Sequence, residues 1–273
     1  MSQLLFLQEV KVTLFEVKPL HMAVANERVI GITIRHGGSS PYPADTMNMA
    51  HYIDDETANI VSNQARLAEV IRFPRRHWVF PIQTHGNHIA EVTDHHKGMN
   101  IDKITGDLHG YDGLWTKQED ILLTMCFADC VPVYLYSKID QYIALGHAGW
   151  RGTLGMVTGQ LIKAYDHPEA LVCIIGPSIC SDCYEVNQDI RDQFDQLPFN
   201  TEEFFELKEN GCYKINLKAL NREIAIYHGV KPENIKVSSE CTAEHPDFFS
   251  YRKENGKTGR MLAFIGTRND HDS

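Results

Sequence analysis

No apolar run in this 273-residue sequence approaches the roughly 20 residues that a bilayer-spanning helix needs, so no membrane partner is expected. Basic residues are also scarce, 26 Lys plus Arg against 36 Asp plus Glu, for a formal charge of −10. Such a surface repels phosphate backbones, and no Lys/Arg-rich run offers a local exception, so nucleic acid is not an expected partner. An anionic small substrate stays open, because a few arginines in a cleft bind phosphate whatever the net charge. Met1 to Val10 has neither a basic n-region nor a small-residue cleavage site. No secretion signal is therefore expected, and a cytoplasmic location is the default. Internal repeats, low-complexity tracts and linker-like Pro/Gly/Ser stretches are missing too, so residues 1–273 read as one domain.

A disulfide framework is also lacking. The seven cysteines are an odd number, which in a non-secreted chain points to thiols, metal ligands or core residues. Cys180 and Cys183 form a C-x2-C pair, but no second pair at similar spacing exists to complete a zinc site. They are expected to be unligated thiols.

What the chain does have is ample core-forming material, with 43% apolar and 10% aromatic residues. Val29 to Arg35 reads as a strand running into turn residues Gly37 to Ser40. Glu56 to Ile71 has helical apolar spacing, with Asp54 or Asp55 as cap and Pro74 beyond its end. Trp78 to Ile82 and His88 to Val92 read as strands around a Thr84-His85-Gly86-Asn87 turn. Ile121 to Met125, Val131 to Tyr136, Tyr142 to Leu145 and Leu171 to Ile175 are short β-branched and aromatic runs of buried-strand character. An amphipathic helix is expected after Gly152, with Leu154, Val157, Leu161 and Tyr165 on one face. Another carries Leu217, Leu220, Ile224 and Tyr227, capped by Asn216 and stopped by Gly229. Many connections are too short for crossover helices, which favours an α/β or α+β sandwich of mixed sheets flanked by helices.

Three motifs lie at strand ends or turns: Gln83-Thr84-His85-Gly86, Ala128-Asp129-Cys130-Val131 and His147-Ala148-Gly149-Trp150-Arg151-Gly152. Each offers one ligand that zinc accepts, and catalytic zinc commonly keeps three protein ligands with its fourth position open. Residue type and spacing alone leave two readings open, a metal site and ordinary core side chains. The third motif has a second feature. Gly149 and Gly152 allow a tight strand-to-helix turn whose N–H groups, with Arg151, would attract an anion such as phosphate. Arg35 with Gly37-Gly38-Ser39-Ser40 forms a similar candidate cradle, or a plain surface turn.

These motifs, taken in order, resemble the YfiH/YlmD family, named multicopper polyphenol oxidoreductases or purine nucleoside phosphorylases, which includes the vertebrate protein FAMIN. The resemblance runs from Arg35-His36-Gly37-Gly38 through Met47-Asn48-Met49 and the three motifs above to Ile175-Gly176-Pro177, Cys183-Tyr184-Glu185-Val186, Cys241-Thr242, Ser250-Tyr251-Arg252 and Gly259-Arg260. It departs at Asp112-Gly113, where the family usually has Asp-Ala, and at Pro43-Ala44-Asp45-Thr46-Met47, which replaces a Pro-Phe-x-Ser-Leu type of segment.

The resemblance implies a YfiH-like sandwich akin to cytotoxic necrotizing factor-type domains. It also implies a metal held by His85, Cys130 and His147, Zn2+ with Cu2+ as the alternative. The expected catalytic set is Cys130, His85, His147 and Asp112, with Asp112 or Asp129 orienting a ligand histidine or moving a proton. Arg35, Ser39, Asn48 and Arg151 are the expected substrate and phosphate residues. The implied activity is phosphorolysis of adenosine, inosine and methylthioadenosine, together with adenosine deamination. Two alternatives remain. One is a copper-dependent polyphenol oxidase, for which Met125 lies near Cys130 in sequence; the other is a Cys130/His hydrolase acting on a cell-wall precursor.

Overall fold

The computed structural model describes residues 3–7, 10–14, 28–41 and 46–268. Of the Met1 to Val10 stretch only 3–7 and 10 are described, and the Pro43-Ala44-Asp45 departure lies outside the described residues.

The apolar runs assemble into two six-stranded mixed sheets. In the first, the order is Gln3–Leu7, Val10–Leu14, Arg28–Thr33, Met261–Thr267, Leu122–Phe127 and Trp78–Val79. All neighbours are antiparallel except the last pair. In the second, the order is Ile235–Val237, Leu171–Ile175, Val131–Ser137, Ile143–Ala148, Tyr111–Thr116 and His88–Glu91, antiparallel inside and parallel at both edges. A small three-stranded sheet of Glu185–Val186, Tyr213–Ile215 and Phe205–Leu207 stands apart.

Alternation along each strand explains the layering. Ile30, Ile32, Met125 and Ile265 of the first sheet meet Tyr134, Ile143, Leu145 and Ile174 of the second in one buried cluster. The opposite face of the first sheet, with Leu122, Leu262 and Phe264, packs on Leu67 and Ile71 of the helix Thr57–Ile71. The opposite face of the second, with Val133, Leu135, Ala144 and Cys173, packs on Val157, Leu161, Leu217 and Leu220. Helix, sheet, sheet and helices thus form four layers, the α+β sandwich expected from the sequence. Central strands covered on both faces show no exposed side, so Leu122–Phe127 and Ile143–Ala148 are buried at every position. No helix among the described residues is long and apolar enough to cross a membrane.

Several local expectations need correction. Gly37 to Ser40 is extended rather than a turn, and His36 and Ser40 both bridge to Thr46. A Cβ on Gly38 would sit 2.0 Å from the Thr46 carbonyl oxygen, so this glycine serves a close backbone approach. Neither Asp54 nor Asp55 caps the first helix. Glu56 holds the cap position without a side-chain bond, because the Asp55 carboxylate accepts from the side-chain amides of Asn48 and Asn59. The Tyr142 to Leu145 strand continues to Ala148, with His147 paired opposite Pro132. The helix expected after Gly152 starts at Trp150 and is broken in two, Trp150–Leu154 and Val157–Lys163, by Met156 at φ 52°. Asn216 caps the helix Leu217–Tyr227 as expected, its Oδ1 accepting from the Ala219 N–H.

Candidate active site

Strand register is what gathers the candidate ligands. Cys130 immediately precedes the strand Val131–Ser137, whose first residue pairs with Ala148, so its thiol arrives beside His147. His147 follows Ile143 and Leu145 on the face between the sheets, and its ring lies 5.1 Å from that of Phe127. His85 comes from the loop after Trp78–Val79, in the left-handed region at φ 63°. A non-glycine residue there is strained, and something must hold it.

Asp112 does so. Its carboxylate accepts three successive backbone N–H groups, from Thr84 at 3.1 Å, His85 at 3.0 Å and Gly86 at 2.7 Å. The same carboxylate accepts from His147 Nδ1 at 2.8 Å. With Nδ1 committed, the Nε2 of His147 is the nitrogen left for a ligand role. The His85 and His147 rings meet edge to face at 4.8 Å, and the ligand atoms of His85, Cys130 and His147 all lie within 4.8 Å of one another. Gly149 makes room for them. A Cβ on it would stand 3.0 Å from Cys130 Sγ and 3.6 Å from His85 Cδ2.

The charges of this cluster are mutually dependent. Burial opposes ionisation of the Cys130 thiol, yet the neighbouring His147, with hydrogen bonds from His147 and His85, brings it down to about 6. Burial likewise opposes an imidazolium at His147, but the Cys130 sulfur and the Asp112 carboxylate push it up to about 9. Asp112 is held below the usual carboxylate value: burial would raise it, and the bonds from His147, Gly86 and Thr84 outweigh that. The anionic sulfur and two imidazoles form a donor set that fits zinc or copper, with one face open. His85 is exposed, Cys130 half-buried and His147 buried, so the open face looks outward.

That face is the floor of a cavity of about 670 Å³, the size range of small-molecule sites. Its walls carry four aromatic side chains, Tyr52, Trp150, Tyr184 and Tyr251, and three arginines, Arg151, Arg252 and Arg260. Each arginine lies over a ring: Arg151 over Trp150 at 4.3 Å, Arg252 over Tyr184 at 4.8 Å, Arg260 over Tyr251 at 5.6 Å.

Of the residues expected to bind substrate or phosphate, only Arg151 lines this cavity. The structure does not bring Arg35, Ser39 or Asn48 there. Arg35 is committed to Glu254 at 2.8 Å and to the Phe248 carbonyl, and it covers the Phe249 ring. The Ser39 N–H donates to Asn63 Oδ1. Asn48 is fully buried, and its Oδ1 accepts from the backbone of Ala50 and Arg260. Arg35, through Glu254, and Asn48, through the Arg260 N–H, hold the segments that carry Arg252 and Arg260. Met125 packs between the sheets and is not among the residues that line the cavity. Asp129, at φ 92°, accepts from Thr242 Oγ1 at 2.7 Å and from the Arg252 N–H at 2.7 Å, which makes it a brace.

Sequence reasoning passed over Arg252, Arg260, Tyr52, Tyr184 and Tyr251 as site residues. The motifs Ser250-Tyr251-Arg252 and Gly259-Arg260 were the available signal, but nothing in their local pattern ties them to residues more than a hundred positions earlier.

Comparison with known proteins agrees with this architecture. The purine nucleoside phosphorylase of Staphylococcus epidermidis (strain RP62A) is 49% identical, over 88% of this chain and 91% of its own length. That of Staphylococcus aureus (strain COL) is 48% identical, over 87% and 90%. Among solved structures, YlmD from Geobacillus stearothermophilus superposes with a TM-score of 0.90 at 34% identity, covering 98% of this chain and 100% of that one. The hypothetical protein YfiH of Bacillus licheniformis gives 0.85 at 33%, covering 88% and 92%. The sequence profile of the multi-copper polyphenol oxidoreductase laccase family matches residues 29–268, and the chain belongs to that family.

Proposed function

We propose that this protein is a metal-dependent purine nucleoside enzyme that splits adenosine, inosine and methylthioadenosine with phosphate and also deaminates adenosine. The observation that carries the reading is the pairing of a His85/Cys130/His147 donor set with a cavity walled by both aromatic rings and arginines. Rings suit a flat purine, and guanidinium groups suit phosphate. The names of the staphylococcal relatives point the same way.

A zinc ion held by His85, Cys130 and His147 would supply Lewis acidity to water or substrate at the cavity floor. The chain's own residues do the rest. Asp112 keeps the His147 imidazole in one tautomer and fixes the His85 loop, so two of the three donors are oriented before substrate enters. Trp150, Tyr184 and Tyr251 give the base apolar wall to lie against and screen it from water. Arg151 and Arg252, exposed at the wall, draw phosphate toward the ribose anomeric carbon. In phosphorolysis a phosphate oxygen bonds to that carbon as the bond to the purine nitrogen breaks, and the freed base takes up a proton. Guanidinium groups neutralise the phosphate charge that otherwise repels attack on the sugar. A cytoplasmic site of action accords with seven free cysteines.

A second reading has one observation in its favour. Asp112, His147 and Cys130 follow the order of an orienting carboxylate, a base and a nucleophile, as a Cys/His hydrolase needs. Copper oxidase chemistry is less supported, because multicopper oxidation needs several coppers and the other ligand cluster among the described residues contains no histidine.

Incubation with adenosine, with and without phosphate, separates these. Ribose 1-phosphate formed only with phosphate, and lost in Cys130→Ala, supports phosphorolysis; inosine formed without phosphate supports deamination. Turnover of no purine nucleoside by zinc-loaded protein overturns the proposal, and alkylation of Cys130 in active, metal-free protein would favour the hydrolase.

A further inference from the structure

The C-x2-C pair finds partners that the sequence did not disclose. Cys180 caps the turn Ser181–Cys183, which ends on Cys183, and Cys241 is brought beside them by a parallel bridge to Ser178. The Thr242 N–H donates to the Ser178 carbonyl at 3.2 Å, and the Cys180 N–H donates to Cys241 Sγ at 3.2 Å. The next turn adds Glu244, whose Oε1 accepts from Cys183 Sγ at 3.7 Å. The three sulfurs and a Glu244 carboxylate oxygen all lie within 4.8 Å of one another, and none of the cysteines is in a disulfide.

We propose that Cys180, Cys183, Cys241 and Glu244 form a second, structural zinc site, separate in ligands and in purpose from the His85/Cys130/His147 centre. The donor set is the argument. Three thiolates and one carboxylate are four anionic ligands, the number that closes a tetrahedral zinc and leaves no position for substrate. Two cysteines three apart on a tight turn are the usual half of such a site. Here the other half comes from a loop nearly sixty residues away, so that the ion would cross-link two segments. A backbone N–H aimed at Cys241 Sγ is the kind of outer partner that steadies a thiolate ligand. The excess negative charge has a neighbour too. Lys218, almost fully buried, reaches the carbonyls of Ser238 and Glu240, next to Cys241 in the chain, and so keeps its cation under this loop.

The cross-link bears on the cavity without touching substrate. Ile179 and Tyr184, which bracket the C-x2-C turn, line the cavity wall. Thr242, beside Cys241, donates to Asp129, whose other oxygen holds the Arg252 backbone. Zinc at the second site would therefore fix Tyr184 and Arg252 relative to Cys130, a positioning role.

Zinc content by mass spectrometry, on protein purified without chelator or added metal, tests this. Wild type should hold about two zinc ions per chain, and both Cys130→Ala/His147→Ala and Cys180→Ser/Cys183→Ser about one. Cys180→Ser/Cys183→Ser should also lower Tm by roughly 5–10 °C and raise KM more than it lowers kcat. Should that variant fail to fold, the centre variant Cys130→Ala/His147→Ala decides alone. Loaded with Co2+, it should show the strong sulfur-to-cobalt absorption of a thiolate-rich tetrahedral site. A folded centre variant that binds no zinc or cobalt overturns the proposal. So does a Cys180→Ser/Cys183→Ser protein that keeps as much zinc as wild type, or a Cys180–Cys183 disulfide in protein isolated under reductant.

Discussion

Asp112 Oδ1 accepts a hydrogen bond from His147 Nδ1 at 2.8 Å while the same carboxylate gathers the N–H groups of Thr84, His85 and Gly86. One fully buried side chain thus orients one candidate ligand through its ring and the other through its backbone. The left-handed conformation of His85 is the cost of that arrangement, and the three N–H bonds offset it.

Asp112→Asn should therefore weaken zinc binding by about 10- to 100-fold. An amide presents an NH2 group where the carboxylate accepted N–H donors, so at least one of the four bonds is replaced by a donor–donor contact. Competition against a chromogenic chelator measures the affinity. Unchanged affinity would show that the His85 loop is held by something other than Asp112.

The three arginines of the cavity wall should not be equivalent to Arg35. Arg151→Ala and Arg252→Ala are each expected to raise the phosphate KM by about 10- to 150-fold, the worth of a lost charge-assisted hydrogen bond. Deamination, which uses no phosphate, should suffer less. Steady-state kinetics with phosphate varied at fixed adenosine checks this, and equal losses in the two reactions would mark Arg151 as a purely structural residue.

What the sequence disclosed depended on how local the information was. His85, Cys130 and His147 each sit in a compact motif of the family, so they were legible one at a time. The length of the Ile143–Ala148 strand was not, because Gly146 looks like a strand end until its pairing with Val133 is known. Arg260 was hidden for a topological reason. It precedes the strand Met261–Thr267, which enters the middle of the first sheet beside Leu122–Phe127 and so delivers the arginine to residues far earlier in the chain. Cys241 was hidden in the same way, since a search for a second Cys pair overlooks a single cysteine carried in by one parallel bridge. Arg35 and Ser39 fall outside the cavity lining, and a basic, glycine-rich segment reads alike in sequence whether it faces a cavity or bonds to its own fold.

Glu254 gives a prediction in pH. Burial would raise its carboxyl, but Thr258, Arg35 and the Ser250 N–H hold it below its ordinary value of 4.5. A depressed folded-state pKa contributes stability that is full above 4.5 and is lost as pH falls through the lower folded value. Glu254→Gln should accordingly melt below wild type at pH 7, with the gap narrowing in acid as wild type loses the same bonds. Thermal scans across pH 7 to pH 3, about one unit per step, follow the difference. A gap that stays constant into acid would mean that charge at Glu254 contributes nothing to the latch with Arg35.

Gly149→Ala tests whether the close approach at the cavity floor matters to the metal rather than to the fold. The φ of Gly149 is −68°, so alanine meets no backbone penalty there. The added Cβ would instead stand 3.0 Å from Cys130 Sγ, tighter than an unstrained carbon–sulfur contact, and 3.6 Å from the His85 ring. The sulfur must yield, and a ligand displaced by a few tenths of an ångström meets a tetrahedral ion poorly. Zinc occupancy of the His85/Cys130/His147 centre and nucleoside turnover should fall together, with Tm shifted by less than about 4 °C. Gly152→Ala is the contrast, since its Cβ would press on the carbonyl oxygens of His147 at 2.9 Å and Gly86 at 3.0 Å, backbone that has no rotamer to change. That variant should lose thermal stability as well as metal. If instead Gly149→Ala melts far below wild type while keeping its zinc, the space beside Cys130 belongs to the packing of the fold and not to the metal centre.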